Sequence, residues 1–358
     1  MTILALGIMS GTSLDGIDLA LCRFSQTKGN WNYEITDTET IAYQSEWIEK
    51  LKNAPNLYAE EFLKLHDEYG RYTGELVNDF LRGKIVPQLI ASHGHTIFHQ
   101  PDEKFTFQLG NGASIAATTQ ITTISDFRSF DVALGGQGAP LVPAGDQLLF
   151  NEFDYCLNIG GFANISFEQD GTRIAFDVCP ANIVLNELAQ QNGLPFDEDG
   201  RLGDSGTVNE PLLDKLNNLD FYNQKWPKSL GREWSDQQIL PLLSASGLSI
   251  EDQAATFYEH ITVQISNVTG IDGRLLATGG GSKNRFLIEK LKSKTTCQIV
   301  LPDKKLIDFK EALIFAFLGV LAYNGQVNVY SSVTGSTQDH IGGTIYTIEN
   351  KGSMTNRS

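Results

Sequence analysis

The chain begins, at residues 4–21, with LALGIMSGTSLDGIDLAL, in which two apolar runs flank a turn of small polar residues. The first run predicts a buried strand. The second alternates apolar residues with Asp18 and Ala20, which predicts a strand with one buried face. An Asp-Gly pair between two such runs, here Asp15-Gly16, is typical of a β-hairpin. The sequence therefore predicts that the fold starts with two antiparallel strands.

The turn of this hairpin also has the composition of a phosphate-binding loop. Gly11 allows a ligand to approach the backbone, and consecutive amides with the hydroxyls of Thr12 and Ser13 can surround an anion. Asp15 and Asp18 would repel a bare anion, but they suit a divalent cation that lies between them and a phosphate. A purely structural hairpin with a polar tip is the alternative. The turn is not a Walker A loop, because the Gly-Lys-Ser/Thr ending is absent.

Composition narrows the class of protein. The 358 residues suit two domains, and 41% hydrophobic with 20% charged residues is ordinary for a soluble globular protein. The net charge of −16 argues against non-specific nucleic-acid binding. The four cysteines have neither zinc-like spacing nor the pattern of a disulfide framework. We expect no signal peptide and no membrane span, because neither kind of apolar segment is found.

The opening pattern of strand, glycine turn and strand recurs in the second half of the chain. Residues 155–167 repeat it with Gly160-Gly161 in the turn, and a second turn at Asp170-Gly171 follows. A third glycine turn, at residues 279–281, ends the apolar run 275–278. Glycine turns at the ends of apolar strands predict two related α/β domains with a ligand cleft between them. We place the domains at 1–145 and 146–350, followed by a frayed tail at 351–358.

Strands and helices between these turns are predicted from periodicity. Further strands are expected at 31–43, 86–91 and 121–125, and helices at 57–81, 110–119 and 284–291. The helix of residues 311–321 is strongly apolar, which predicts a buried closing helix. This last helix can pack back on the first domain.

Polar residues at predicted strand ends are candidates for chemistry in the first domain. His93, His95 and His99 lie close together; they form either a metal site or, as we favour, one ligand-facing histidine with locally bonded neighbours. Arg128 follows a strand and is a candidate carboxylate clamp. The alternative is a surface ion pair of Arg128 with Asp126 or Asp131.

The second half of the chain adds two carboxylates and a basic loop. Asp177 ends a predicted strand, where it can act as a general base or simply cap a helix or turn. Glu311 begins the apolar helix and either points into the cleft or favours the helix dipole. Residues 228–232, KSLGR, place two cations beside a glycine; they either line a sugar or phosphate region or form an ordinary loop.

In residues 9–18, MSGTSLDGID, the chain resembles the 1,6-anhydro-N-acetylmuramic acid kinases. The resemblance spans nearly the whole chain, and its opening ten residues are highly specific. Further matching segments are SHG at 92–94, DFR at 126–128, GGQGAPLVP at 135–143, LNIGGFANIS at 157–166, FD at 176–177, GGG at 279–281, EA at 311–312 and VTG at 333–335.

The resemblance implies the two-domain, actin-like or hexokinase-like ATPase (ribonuclease H-like) fold, with an ATP and sugar cleft between the domains. It implies a cytoplasmic enzyme of murein recycling that uses ATP and Mg²⁺. The reaction would hydrolyse the 1,6-anhydro ring and phosphorylate O6, which gives N-acetylmuramic acid 6-phosphate and ADP. An ordinary kinase for a free amino sugar and a non-catalytic ATP- or sugar-binding regulator are the alternatives. No nucleic-acid or membrane partner is expected, and a homodimer is compatible with the sequence.

The resemblance also assigns roles to residues. Asp177 matches the catalytic base. ATP would be bound by Gly11, Thr12, Ser13, Asp15, Gly16, Asp18, Gly160, Gly161, Gly279 and Gly280. Asp15 and Asp18 would hold Mg²⁺. His93, Arg128 and Glu311 would bind the sugar, and Arg128 would contact the lactyl carboxylate of the sugar.

One segment departs from the family pattern. The family usually follows the catalytic Asp with Thr-Gly-Pro-Gly-Asn, whereas this chain has Val178-Cys179-Pro180-Ala181-Asn182. A hydroxyl and two glycines are therefore replaced, which affects the expected sugar contacts after Asp177 more than the reaction itself.

Overall fold

The computed structural model describes residues 2–11, 14–270 and 272–349. The chain divides into two compact units. The first contains the described residues up to Leu149 and those from Phe309 onward, and the second runs from Phe150 to Asp308. From the sequence, the domains are predicted at residues 1–145 and 146–350, with a last helix that can pack back on the first domain.

The strands, in chain order, are β1 Thr2–Ser10, β2 Gly16–Thr27, β3 Asn30–Ala42, β4 Leu89–Gln100, β5 Phe105–Leu109, β6 Thr122–Ser125, β7 Tyr155–Ile159, β8 Phe162–Gln169, β9 Thr172–Pro180, β10 Arg274–Thr278, β11 Gln298–Val300 and β12 Thr344–Tyr346.

The α-helices are α1 Ser45–Asn53, α2 Ala59–Phe80, α3 Gly112–Thr119, α4 Ser129–Ala133, α5 Val142–Leu149, α6 Asn182–Gln191, α7 Arg201–Ser205, α8 Glu210–Asn217, α9 Arg232–Trp234, α10 Leu240–Ser244, α11 Ile250–Val268, α12 Arg285–Lys294, α13 Lys304–Tyr323 and α14 Ser331–Thr334. In the part of the chain that the structure describes, no helix is both long enough and apolar enough to cross a membrane.

The sheet of the first unit has the strand order β12-β6-β4-β1-β2-β3, and β5 pairs with β4. β1, β2 and β3 are antiparallel neighbours, whereas β1 and β6 both run parallel to β4. The predicted opening hairpin is confirmed by the β1–β2 ladder, in which Ser10 pairs with Ile17. One core cluster contains Leu6, Leu19 and Val77, from β1, β2 and α2. The alternating apolar pattern of the hairpin thus buries one face of the sheet.

The second unit repeats this arrangement with the strand order β11-β10-β7-β8-β9. β7, β8 and β9 are again antiparallel, and β7, β10 and β11 are parallel. The predicted turn at Asp170-Gly171 joins β8 to β9, with φ values of 52° and 73°. Such left-handed conformations favour Asp-Gly in a two-residue hairpin. The two mixed sheets confirm the α/β class predicted for the actin-like fold.

Two strands are longer than the sequence predicts. β4 was expected at residues 86–91 but runs from Leu89 to Gln100, so the three histidines lie on the strand rather than after it. β9 continues past Asp177 to Pro180. Both continuations are polar or contain proline. The ladder bonds to β5 and β8 nevertheless extend the strands, since tertiary pairing overrides local propensity.

Helix α13 packs closely on the sheet of the first unit. A Cβ built at Gly7 would lie 1.8 Å from the carbonyl oxygen of Ala312. The helix residues from Ala312 to Ala322 are almost entirely buried. Only glycine in β1 permits this approach, which confirms the prediction that the apolar helix is buried.

Candidate active-site residues

The candidate residues belong to both units, and each unit is described by itself. In the first unit, the hairpin turn joins Ser10 at the end of β1 to Gly16 at the start of β2. Thr12 and Ser13, two of the predicted phosphate contacts, lie outside the described residues. A Cβ at Gly16 would lie 2.4 Å from the carbonyl oxygen of Ile41. Strand pairing therefore accounts for this glycine without any ligand.

A buried hydrogen-bond chain anchors the start of the turn. The Ser10 Oγ lies 2.6 Å from the Tyr43 hydroxyl and 2.9 Å from His95 Nδ1, and the Tyr43 hydroxyl lies 2.5 Å from that of Tyr69. Burial lowers the pKa of His95 to about 4, so its imidazole is neutral at pH 7. These hydrogen bonds could not be predicted from local sequence patterns, because the bonded residues come from β1, β4, α2 and the position after β3.

Asp15 and Asp18 differ in their surroundings. Asp15 is exposed, whereas Asp18 is half-buried on β2 and its Oδ1 accepts a hydrogen bond of 2.5 Å from the Thr40 hydroxyl. The Asp18 charge contributes to raising the pKa of Glu311, so these two carboxyls lie in one neighbourhood. No cluster of three or more His, Cys, Asp or Glu suited to a metal ion occurs among the residues described. Two carboxylates still fit Mg²⁺, which commonly takes its other ligands from phosphate and water.

Arg128 and His93 form a fixed pair. The Arg128 Nε donates to His93 Nε2 at 2.9 Å, and Nη1 donates to the Gly138 carbonyl oxygen at 2.6 Å. His93 Nδ1 lies 2.8 Å from the Gly94 carbonyl oxygen. The ring is therefore neutral, with its proton on Nδ1. Burial and the Arg128 charge accordingly hold the His93 pKa well below its usual value.

Arg128 keeps its charge in this setting. Burial lowers the pKa of Arg128 to about 10, while Glu311 and Asp131 raise it. Glu311 is exposed as a residue, yet desolvation of its carboxyl raises its pKa, an effect that Arg128 opposes. Arg128 thus bonds to His93 and lies within electrostatic range of Glu311, the two other residues to which the resemblance assigns sugar binding. His99 instead lies 3.1 Å, through Nδ1, from the Thr106 hydroxyl, which is the local bonding that we favoured over a metal site.

In the second unit, Asp177 is held by the segment before α9. The Leu230 N–H donates to Asp177 Oδ2 at 2.9 Å, and the Asp177 N–H donates to the Lys228 carbonyl oxygen at 3.1 Å. The carboxyl is half-buried, and desolvation raises its pKa while the Leu230 N–H lowers it. The Oδ1 atom has no hydrogen-bonding neighbour in the described part of the chain. It is therefore an available acceptor on a carboxylate more basic than usual.

The basic loop contributes through its backbone rather than through its charges. The Lys228 ammonium donates to the Phe221 carbonyl oxygen at 3.1 Å and lies 4.5 Å from the centre of the Phe221 ring. Arg232 pairs at 3.7 Å with Asp236, on the following turn. The Leu230 N–H of the loop holds the Asp177 carboxylate, and the Lys228 carbonyl oxygen accepts the Asp177 N–H, contacts that the side-chain types of the loop do not indicate.

The glycine turns of the second unit divide into two kinds. Gly279 has φ 81°, and a Cβ there would lie 2.5 Å from Asn158 Oδ1, so the fold itself requires glycine. A Cβ at Gly160 would meet nothing nearer than 3.5 Å, and one at Gly161 or Gly280 nothing nearer than 3.8 Å. None of these three has a left-handed φ. Neither strain nor packing explains them, which is the pattern expected where a ligand approaches the backbone.

A cavity of about 390 Å³ lies beside Gly280 and Gly281 in the second unit. Its lining includes Asn182 on α6, Tyr258 on α11 and Lys283. This volume lies in the range of small-ligand pockets. The pocket therefore gives the third glycine turn a place to contact a ligand.

The departure after Asp177 lies in the hydrophobic core. Val178, Cys179 and Ala181 are buried at 2%, 0% and 0% exposure and belong to the core cluster of the second unit. Burial also raises the pKa of the Cys179 thiol above its usual range. These side chains therefore change the packing behind β9, and Cys179 is a buried neutral thiol rather than a nucleophile.

The chain is similar in sequence to known proteins over nearly its whole length. The family model described as anhydro-N-acetylmuramic acid kinase matches residues 3–348. The anhydro-N-acetylmuramic acid kinase of Xanthomonas oryzae pv. oryzae is 33% identical over 368 residues, with 96% of this chain and 97% of that protein covered. The one from Pseudomonas savastanoi pv. phaseolicola is 35% identical over 374 residues, with 95% and 98% covered.

Among solved structures, the chain is distantly similar to component A of the Acidaminococcus fermentans (R)-2-hydroxyglutaryl-CoA dehydratase. The TM-score is 0.45 at 13% identity, with 88% of this chain and 96% of that chain covered.

Proposed function

Because the chain belongs to the anhydro-N-acetylmuramic acid kinase family, it is a phosphotransferase, and we propose that it phosphorylates 1,6-anhydro-N-acetylmuramic acid with simultaneous ring opening. ATP-dependent kinase activity in murein recycling follows from the family. The coupled hydrolysis is the finer part of the proposal. The single observation that carries it is Asp177, a carboxylate of raised pKa with one oxygen fixed by a backbone amide.

Asp177 is proposed to act as the general base. Its Oδ1 accepts a proton from a water molecule as the water oxygen bonds to the anomeric carbon. The C1–O6 bond breaks, and O6 takes the electron pair and attacks the γ-phosphorus of ATP. The bond from that phosphorus to the bridging oxygen breaks, ADP leaves, and the proton passes from Asp177 to solvent. The products are N-acetylmuramic acid 6-phosphate and ADP.

Nucleotide binding is proposed for the glycine turns and the first hairpin. In the second unit, Gly160 and Gly161 would contact phosphate, and Gly279 and Gly280 would lie against the nucleoside. This role is supported by the open space above Gly160, Gly161 and Gly280 and by the adjoining cavity. In the first unit, the turn beginning at Gly11 is proposed to bind phosphate.

Mg²⁺ is proposed to be held by Asp15 and Asp18 together with phosphate oxygens. When bound, the ion would neutralise charge on the transferred phosphoryl group. The Thr40 hydroxyl donates to Asp18 Oδ1 and so restricts the orientation of this carboxylate.

Sugar recognition is proposed for His93, Arg128 and Glu311 of the first unit. The Nη2 atom of Arg128 has no protein acceptor among the described residues, so its N–H groups are available to a carboxylate oxygen. The lactyl group of N-acetylmuramic acid supplies such a carboxylate. A homodimer and a cytoplasmic location stay predictions.

The decisive experiment measures ADP release with MgATP and 1,6-anhydro-N-acetylmuramic acid, with free N-acetylmuramic acid and N-acetylglucosamine as comparison substrates. Each product is weighed by mass spectrometry. We expect the anhydro sugar alone to gain both phosphate and one water. Phosphate without water, or a preference for a free sugar, would replace the proposal with an ordinary sugar kinase. ATP binding without any sugar-dependent ADP would indicate a regulator.

The acid limb of the pH profile tests the environment of Asp177. The base works only when ionised, so kcat/KM falls as pH drops through the Asp177 pKa, which desolvation raises above the usual value of about 3.9. Leu230→Pro removes the N–H that lowers this pKa, so its acid limb is expected at higher pH than that of the parent. Leu230→Ala retains the N–H and is the matched control. Coinciding limbs in the proline and alanine variants would contradict the assignment of the base.

A further inference from the structure

Asp131 is a buried carboxylate of the first unit that the reaction above does not use. It lies on α4 with no exposed surface. Its Oδ2 accepts the Gly138 N–H at 2.6 Å, and its Oδ1 accepts the Thr334 hydroxyl at 2.7 Å. The His340 ring lies beside it, with Nε2 3.7 Å from Oδ1. A buried carboxylate bonded by neutral donors is costly to maintain, so a specific structural task is expected for it.

The task of Asp131 is to fix the loop of residues 135–140. Besides Gly138, the loop bonds to Asp131 through the Gly136 N–H, which donates to the Asp131 carbonyl oxygen at 2.9 Å. The Gln137 N–H donates to the Thr334 carbonyl oxygen at 2.8 Å. A Cβ at Gly136 would lie 2.3 Å from the Asp131 carboxylate, so the loop closes tightly around it. Asp131 and Thr334 together determine where the loop backbone lies.

The loop in turn holds Arg128. Its Gly138 residue accepts a hydrogen bond from Arg128 Nη1 through the carbonyl oxygen and donates to Asp131 through the N–H. His93 holds the Nε side of the same guanidinium. Because the guanidinium is planar, bonds at Nε and Nη1 also fix the direction of the Nη2 donors. A continuous hydrogen-bonded chain thus runs from the buried carboxylate to the cation.

We propose that Asp131, supported by Thr334, is a positioning residue that sets the selectivity of Arg128 for a carboxylate-bearing sugar. This inference rests on the proposed function, in which Arg128 meets the lactyl carboxylate. Asp131 itself touches no substrate. Its contribution is to keep the guanidinium in the orientation that directs Nη2 to the substrate.

The kinetic test compares two sugars that differ by the lactyl group, 1,6-anhydro-N-acetylmuramic acid and 1,6-anhydro-N-acetylglucosamine. Asp131→Asn leaves one acceptor oxygen for two donors. The ratio of kcat/KM between the sugars is expected to fall about tenfold, while the KM for ATP changes less than about twofold. Thr334→Val should lower the ratio about threefold, and Thr334→Ser should restore it. Asp126→Asn is the matched control, because Asp126 has φ 58°, which asparagine tolerates, and is exposed.

A second readout follows the guanidinium without any substrate. The Arg128 Nε–H, bonded to His93, should give a slowly exchanging side-chain NMR signal that Arg128→Lys removes. Asp131→Asn should accelerate this exchange about tenfold, and Asp126→Asn should not. Equal losses of kcat/KM for the two sugars, or unchanged Nε–H exchange in Asp131→Asn, would overturn the positioning role. If the parent uses neither sugar, the proposed function fails, and the exchange rates alone decide whether Asp131 positions Arg128.

Discussion

Asp177→Asn is expected to lower kcat for 1,6-anhydro-N-acetylmuramic acid by about 10³-fold, within the range for loss of a general base. The carboxamide keeps an oxygen for the Leu230 N–H but cannot take a proton from water. The affinity for ATP should stay within about twofold of the parent, because the proposed role of Asp177 lies in the chemical step. Stopped-flow measurement of phosphorylated sugar, with ATP binding by calorimetry, separates the two effects.

The control for this variant is Asp170→Asn, the same chemical change elsewhere in the second unit. Asp170 lies in the turn between β8 and β9 with φ 52°, a conformation that asparagine also adopts. Its activity is expected to equal that of the parent. If Asp177→Asn retains turnover within a few-fold of the Asp170→Asn enzyme, another group must take the proton.

The sequence was most informative where structure is determined by neighbours in the chain. The β1–β2 and β7–β8 hairpins follow from alternating apolar residues on either side of an Asp-Gly or a Gly-Gly turn. In each hairpin the paired strands are neighbours in the sequence, so the pairing could be predicted without knowing any distant contact. Asp177 and Arg128 could be chosen because polar residues at the ends of apolar runs often face ligands. The continuation of β4 through its histidines could not be predicted, because pairing with β5 supplies the backbone bonds that the polar residues do not favour.

The supporting contacts are those that sequence reasoning missed, because they join residues far apart in the chain. Asp177 meets Leu230 across 53 positions, Ser10 meets His95 across 85, and Asp131 meets Thr334 across 203. Asp131 was considered only as a surface partner of Arg128, yet it is wholly buried and acts on Arg128 through a glycine backbone. A glycine-rich motif predicts a close backbone approach, but not which buried carboxylate will hold it.

Gly161→Ala is expected to raise the KM for ATP about 30-fold while leaving the free energy of unfolding within about 0.5 kcal/mol of the parent. The added methyl group would meet only Ile183 Cβ, at 3.8 Å, which is ordinary contact. The Gly161 carbonyl oxygen accepts the Ala181 and Ile183 N–H groups, bonds that alanine retains. The Gly161 N–H has no protein acceptor in the described ranges, so it is available to the phosphate proposed for this turn, which an added methyl group would displace.

The contrasting variant is Gly279→Ala, whose Cβ would lie 2.5 Å from Asn158 Oδ1 in a backbone of φ 81°. Its loss of ATP affinity should come with a loss of stability, visible as a lower midpoint of urea unfolding. The two glycines thus separate a ligand requirement from a folding requirement within one unit. An ATP KM of Gly161→Ala equal to that of the parent would contradict phosphate contact at this turn. A fall in its stability as large as that of Gly279→Ala would show that Gly161, too, is required by the fold.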